Sequence, residues 1–211
     1  MADFDFEQKL YAEGYKYIAG VDEAGRGPLA GPVAAAAVIL DFNSDFFNEV
    51  NDSKKITPIK RRKLFDLIVQ NCISYSIKFV NEDVIDKVNI LQADMIAMSE
   101  AVCDLNLNPD FLLVDGNYFH PTEKAKNIPF KTIVKGDSKS ISIAAASILA
   151  KVARDEWIIN VADKQFPEYK FAKHKGYATK EHIELLKKYG SCKYHRKSFI
   201  KNFINNNETL L

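Results

Sequence analysis

A chain of 211 residues with 47% apolar and 27% charged side chains has the composition of a globular protein, which excludes disordered and collagen-like structure. A chain of this length can close a core without a disulfide or zinc staple. The formal net charge of +1, taken over the whole chain, argues against a partner held mainly by bulk charge.

The N-terminal residues 1–16 are acidic and polar and read as a short helix or a loosely attached arm, ahead of one domain over 17–211. Tyr17–Asp22 reads as a strand ending in the Gly-rich turn EAGRGPLAGP. Val33–Leu40 is the longest apolar run, of a length that suits a buried strand and falls far short of a bilayer. Thr57 and Pro58 have the chemistry of an N-cap and first residue of a helix that places Leu64, Leu67 and Ile68 on one face. Over Ile73–Phe79 the alternation puts Ile73, Tyr75, Ile77 and Phe79 on one face and Ser74, Ser76 and Lys78 on the other, a half-buried strand. A short helix follows at Asn81–Lys87. A clearer one spans Ile90–Leu105, with Leu91, Met95, Met98, Val102 and Leu105 at helical spacing.

Phe111–Val114 and Phe130–Val134 read as further strands. Ile141–Phe166 reads as a long helix whose small residues Ala144, Ala145, Ala146 and Ser147 allow close approach to the sheet. His182–Lys188 and Lys197–Ile204 close the pattern as helices. With strands early and helices late, the fold class is α/β: a mixed sheet flanked by helices, with a helical C-terminal part. Cys72, Cys103 and Cys192 are odd in number and widely spaced, which points to free thiols in a reducing, cytoplasmic setting.

Candidate chemistry gathers at strand ends, the usual place for sites in α/β sheets. Val21-Asp22-Glu23, Val114-Asp115-Gly116 and Gly136-Asp137-Ser138 each carry acids into a turn. If Asp22, Glu23, Asp115 and Asp137 converge, their repulsion calls for a cation, and oxygen donors select Mg2+ or Mn2+. A pair of such ions suits phosphodiester hydrolysis. Each acid taken singly also fits an ordinary turn residue. Gly25, Arg26 and Gly27 can bring backbone and a cation against a sugar–phosphate chain. Ser53 and Lys54, at the start of a run to Lys63 with six basic and no acidic side chains, can position phosphates. Tyr177, within His174-Lys175-Gly176-Tyr177, can stack on a base or pack on its own loop. The histidines read as surface or phosphate-adjacent groups with no zinc role. Asp155 beside Arg154 reads as part of a helix-surface ion pair.

Together these segments resemble bacterial ribonuclease HII. The strings YIAGVDEAGRGPLAGPVAAAAV, NDSKKITPIKRRKL, FLLVDGN, IVKGDSKSISIAAASILAKVARD, HKGYATKEH and HRKSF occur in that family's order over residues 17–200. The resemblance implies a ribonuclease H-like fold. It implies an endonuclease that cuts the RNA strand of RNA–DNA hybrids and nicks duplex DNA 5′ of embedded ribonucleotides, leaving 5′-phosphate and 3′-hydroxyl ends. Asp22, Glu23, Asp115 and Asp137 match the metal-binding carboxylates, taken to hold two Mg2+ or Mn2+ ions. Gly25, Arg26 and Gly27 match the turn that reads the ribose 2′-hydroxyl, Tyr177 the residue stacked at the RNA–DNA junction, and Ser53-Lys54 a phosphate-contacting loop. The Gly-Arg-Gly triplet favours type HII over type HIII. A monomer with no obligate protein partner is expected. Another metal nuclease of the same broad fold and a non-catalytic nucleic-acid binder remain the alternatives.

The net charge is also an average. Residues 170–201 carry ten basic and two acidic side chains, so with residues 53–63 the basic charge lies in two segments and the remainder is acidic. That distribution suits a phosphate-binding protein with a metal-binding acidic centre.

Overall fold

The computed structural model describes residues 2–41 and 57–204. Helix α1 (Asp5–Ala12) precedes strands β1 (Ile18–Ala24) and β2 (Val33–Leu40). Then come α2 (Pro58–Asn71), β3 (Cys72–Val80), α3 (Glu82–Val88), α4 (Ile90–Cys103), β4 (Phe111–Asp115) and β5 (Phe130–Ile133). Helix α5 (Ile141–Trp157) continues through a π-turn at Ile158–Ala162 into α6 (Asp163–Gln165). The short α7 (Phe171–His174), α8 (Lys180–Tyr189) and α9 (Lys197–Ile200) follow.

The sheet order is β3-β2-β1-β4-β5. Strands β1, β2 and β3 pair antiparallel, while β4 and β5 run parallel to β1, which gives the expected mixed sheet. Every residue of β2 is buried, as its unbroken apolar run requires of a central strand covered on both faces. Ala19, Val21, Ala35 and Ala37 pack toward α4 on one face. Ala36, Val38 and Leu40 meet α5 and the Leu64–Ile68 stripe of α2 on the other. Each fully buried Leu, Ile or Val in these layers contributes roughly 1.5–3 kcal/mol.

The side chain of Thr57 accepts a 3.3 Å hydrogen bond from Lys60 N and caps α2 as its sequence position implied. Ala144, Ala145 and Ala146 of α5 are fully buried in one layer with Ala36 and Val38 of β2, so the helix does lie close to the sheet. A methyl group placed on Gly20 of β1 would overlap the Ser142 carbonyl, so helix and strand touch backbone to backbone.

Several sequence expectations need correction. On β3 it is Ser74 and Ser76 that are buried, while Ile73, Tyr75 and Phe79 are exposed. The two hydroxyls are satisfied by the chain after α4: Asn106 N donates to Ser74 Oγ, and Ser76 Oγ donates to Asp104. Leu91 lies outside the buried stripe of α4, whereas Met95, Met98, Val102 and Leu105 are in it. The final helix stops at Ile200, four residues early. The N-terminal segment is a docked helix: buried Glu7 accepts from Ser140 Oγ at 2.6 Å and from Ser142 N at 3.1 Å, at the start of α5.

Candidate active site

The register of the parallel strands puts two carboxylates side by side. Val21 of β1 pairs with Val114 of β4, so Asp22 and Asp115 are each the next residue along, on the same face of the sheet. That face meets α5, and the Ser147 side chain hydrogen-bonds Asp22. Glu23 alternates to the opposite face, under α4. The sheet edge therefore carries acids on both sides. Asp115 Oδ1 accepts from Gly136 N at 2.6 Å, which ties β4 to the 3-10 turn Gly136–Ser138 that holds buried Asp137. Asp137 thus lies beyond β5 in a turn.

The electrostatics are those of crowded like charges. Burial holds the Asp22 carboxyl well above the usual range, and the charges of Glu23 and Asp115 push it further. Burial also raises Glu23; Arg26 pulls it back and Asp115 adds to the rise. The structure thus brings Asp22, Glu23 and Asp115 within one another's field and sets Asp137 one residue from the Asp115 hydrogen-bond donor. Among the described residues no three Asp, Glu, His or Cys side chains already surround one point at ion-holding distance.

A cleft of about 310 Å³ opens beside these acids, lined by Glu23, Ala24, Gly25, Arg61, Ser147, Lys151 and Tyr177. Glu23, the glycine turn at Gly25 and the remote Tyr177 therefore line one cleft. Tyr177 is part-exposed, with Lys151 Nζ 5.4 Å and Arg154 Cζ 5.9 Å from its ring centroid. Arg26 turns toward protein acids: its Nη1 lies 3.6 Å from Glu23 and its Nε 3.3 Å from Asp94. Ser53 and Lys54 lie outside the described residues. Within the basic run after them, Arg62 is held by Glu156 at 2.7 Å and Asp66 at 2.9 Å, while Arg61 reaches the cleft.

Three sets of buried polar residues escaped the sequence analysis. The first is a pair of buried arginines. Arg154, expected in a helix-surface ion pair, is fully buried; it still lies 4.0 Å from Asp155, whose nearer partner is Lys151 at 2.8 Å. The Arg154 guanidinium donates to the carbonyls of Pro32, Ala30 and Lys175. Arg196 donates to those of Gly25, Arg26 and Gly31. These charge-assisted bonds fix the Gly-rich turn from beneath. Gly25, at φ +100°, has no alternative residue, because a Cβ there would overlap the Arg154 side chain. The second group is Asp94, fully buried in α4 and pushed up to about 8 by burial and the nearby Glu23 charge. Its helical phase, four residues before Met98 and eight before Val102, was a legible signal of a buried acid. The third is the histidine set. His174, His182 and His195 are buried and joined to one another, contrary to their reading as surface groups; only His120 is exposed.

A mixed five-stranded sheet between helices, with acids along the carboxyl ends of its parallel strands, defines the class of ribonuclease H-like α/β enzymes. The family model described as Ribonuclease HII matches residues 19–202, and the chain belongs to the ribonuclease HII family. The ribonuclease HII of Caldicellulosiruptor bescii is 54% identical over 203 residues, 95% of each chain. Among solved structures, the ribonuclease HII of Archaeoglobus fulgidus, determined in a complex with PCNA, superposes with a TM-score of 0.72 at 26% identity, over 88% of this chain and 96% of that one. Bst-RNase HIII in complex with Mn2+ shares the fold, with a TM-score of 0.58 at 16% identity over 83% of this chain and 62% of that one. The chain is therefore a hydrolase, an endonuclease of the ribonuclease H type acting on RNA–DNA hybrids. No helix among the described residues is long and apolar enough to cross a membrane.

Proposed function

We propose that this ribonuclease H activity is metal-dependent and extends to nicking duplex DNA on the 5′ side of single embedded ribonucleotides. The observation that carries the reading is the cleft that Glu23, Gly25 and Tyr177 line together. An acid, a backbone-rich turn and an aromatic ring at one place match the three needs of a junction: hydrolysis, recognition of a 2′-hydroxyl and stacking.

The donor set fits a hard divalent cation, since the charges crowded around Asp22 already favour a bound proton and a cation relieves the same repulsion. Asp22, Glu23, Asp115 and Asp137 would hold Mg2+ or Mn2+, two ions in this reading. When bound, such ions activate a water and stabilise the departing 3′-oxygen, which leaves a 3′-hydroxyl and a 5′-phosphate. The Mn2+ in the ribonuclease HIII structure supports the assignment.

The chain's own groups do the rest. Arg154 and Arg196 hold the carbonyls of the turn at Gly25, Arg26, Ala30, Gly31 and Pro32, so the turn meets the ribose with little left to order. Arg26 sits between Glu23 and Asp94, and its charge offsets that of Glu23. Arg61, Lys151 and the Ser53-Lys54 segment contact phosphates, and Tyr177 stacks at the junction. The protein acts as a monomer without an obligate partner; the PCNA complex of the Archaeoglobus fulgidus relative makes a clamp pull-down the check on that point.

The test is one duplex with a single ribonucleotide, beside an RNA–DNA hybrid and an all-DNA control, in Mg2+ and in Mn2+. Nicking 5′ of the ribonucleotide, with no cut in the control and none in chelator, is the expected result. Cleavage of hybrid alone would restrict the activity to hybrids. Asp22→Asn should slow the reaction by about 100-fold or more, as loss of several kcal/mol of charge stabilisation requires. A wild-type rate in that variant would remove Asp22 from the site.

A further inference from the structure

The structure assigns a positioning role to His182: with His195 it forms a one-directional hydrogen-bond relay that fixes the backbone of Tyr177. The inference rests on the reading of Tyr177 as the stacking residue and adds what holds it in place.

The relay follows from which atoms can only donate and which can only accept. Cys192 N donates to His195 Nδ1 at 3.0 Å, so that nitrogen carries no proton and His195 Nε2 carries it. At the other end His182 Nδ1 lies 2.9 Å from the Tyr177 carbonyl, which only accepts, so His182 is protonated on Nδ1. Between them His195 Nε2 and His182 Nε2 lie 3.1 Å apart, one with a hydrogen and one with a lone pair. The third ring is fixed in the same way: Gly176 N donates to His174 Nδ1, and His174 Nε2 donates to Tyr169 O. His174 stacks on His182 at 4.2 Å, and its own carbonyl accepts from Tyr177 N at 2.9 Å. Every ring nitrogen of the three histidines is thus committed to a protein partner, so the cluster is not a metal site.

The arrangement works only with neutral rings. A proton on either His182 or His195 would set two N–H groups against each other. Burial supports neutrality, holding His182 at about 4 and His195 at about 3. The Phe171 ring, 5.5 Å from both, excludes water from this side. The backbone of Tyr177 is thereby pinned through both its N–H and its C=O, while its ring stays part-exposed in the cleft.

Asparagine and glutamine separate this role from simple packing. An Asn amide nitrogen falls near the position of Nδ1 and can still donate to the Tyr177 carbonyl, whereas a Gln amide falls near Nε2 and cannot. His182→Gln should raise KM on a junction duplex by roughly tenfold with kcat little changed, while His182→Asn should recover most of that loss. Tyr177→Ala is run beside them. If it leaves KM unchanged, the stacking reading itself falls. If it raises KM while His182→Gln and His182→Asn behave alike, the relay falls and the stacking reading stands. Nitrogen-15 spectra of the wild-type imidazoles decide the matter without any variant. The expected pattern is Nδ1–H on His182 and Nε2–H on His174 and His195, all neutral at pH near 7. An Nε2–H or charged His182 would overturn the relay.

Discussion

Two guanidiniums and one carboxylate show how single residues shape this site at a distance. Arg154 and Arg196 are fully buried and spend their hydrogens on backbone carbonyls. The acid whose field reaches both, Glu82, is itself buried and has been pushed up to about 7 by loss of solvent, with Arg196 and Arg154 pulling the other way. Unfolded, Glu82 ionises near 4.5. Between those values the folded chain holds a proton that the unfolded chain has lost, so its contribution to stability is present below about pH 4.5 and is lost as pH rises through 7. The loss amounts to roughly 3 kcal/mol. Glu82→Gln should therefore match wild type in urea melts near pH 4.5 and exceed it near pH 8. Parallel pH curves for the two proteins would show that the arginines keep Glu82 ionised throughout. For Tyr177, base stacking is worth roughly 1–3 kcal/mol, so Tyr177→Ala should weaken binding of a junction duplex by about tenfold in a titration with a non-cleavable substrate. Wild-type affinity would return Tyr177 to a packing role.

At the level of elements, the sequence patterns that proved reliable were those governed by local rules. The cap at Thr57, the buried run of β2 and the small-residue face of α5 depend on neighbours a few residues away, and each was legible. The face of β3 was not. Alternation shows that two faces differ, but which one is covered depends on what packs there, and the segment after α4 brings Asp104 and Asn106 to meet Ser74 and Ser76. The same holds for the site. Its acids could be read because they interrupt apolar strands at turns. Arg154, Arg196 and the histidines could not, because their partners are carbonyls and rings supplied by remote loops, which leave no mark in a periodicity. The contact between α5 and β1 gives a sharp test. Gly20→Ala places a methyl group on the Ser142 backbone and should cost more than about 2 kcal/mol in denaturant melts, or prevent folding. A change below about 0.5 kcal/mol would mean that the helix can move away from the strand.

For the molecule as a whole, the neutral total conceals a division of charge. Part of the basic charge is already neutralised: Lys170 and Lys173 both pair with Glu181, and Arg62 is bridged by two acids. Arg61 and Lys151 line the cleft that also holds Glu23. Substrate affinity should fall by about tenfold or more as salt rises roughly fourfold, as expected for a few displaced counterions. A flat response would shift the affinity onto stacking and backbone contacts.

The clamp on the Gly-rich turn also has a consequence for synthesis. Arg196 reaches back across 171 positions to Gly25, and Arg154 across 122 to Pro32. On the ribosome, β1, β2 and β3 can pair early, since they are consecutive. The parallel partner β4 comes later, and the arginine that secures the turn emerges later still. A nascent chain therefore displays Asp22 and Glu23 well before the neighbouring turn takes its shape, and nuclease competence arrives only when residue 196 has left the exit tunnel.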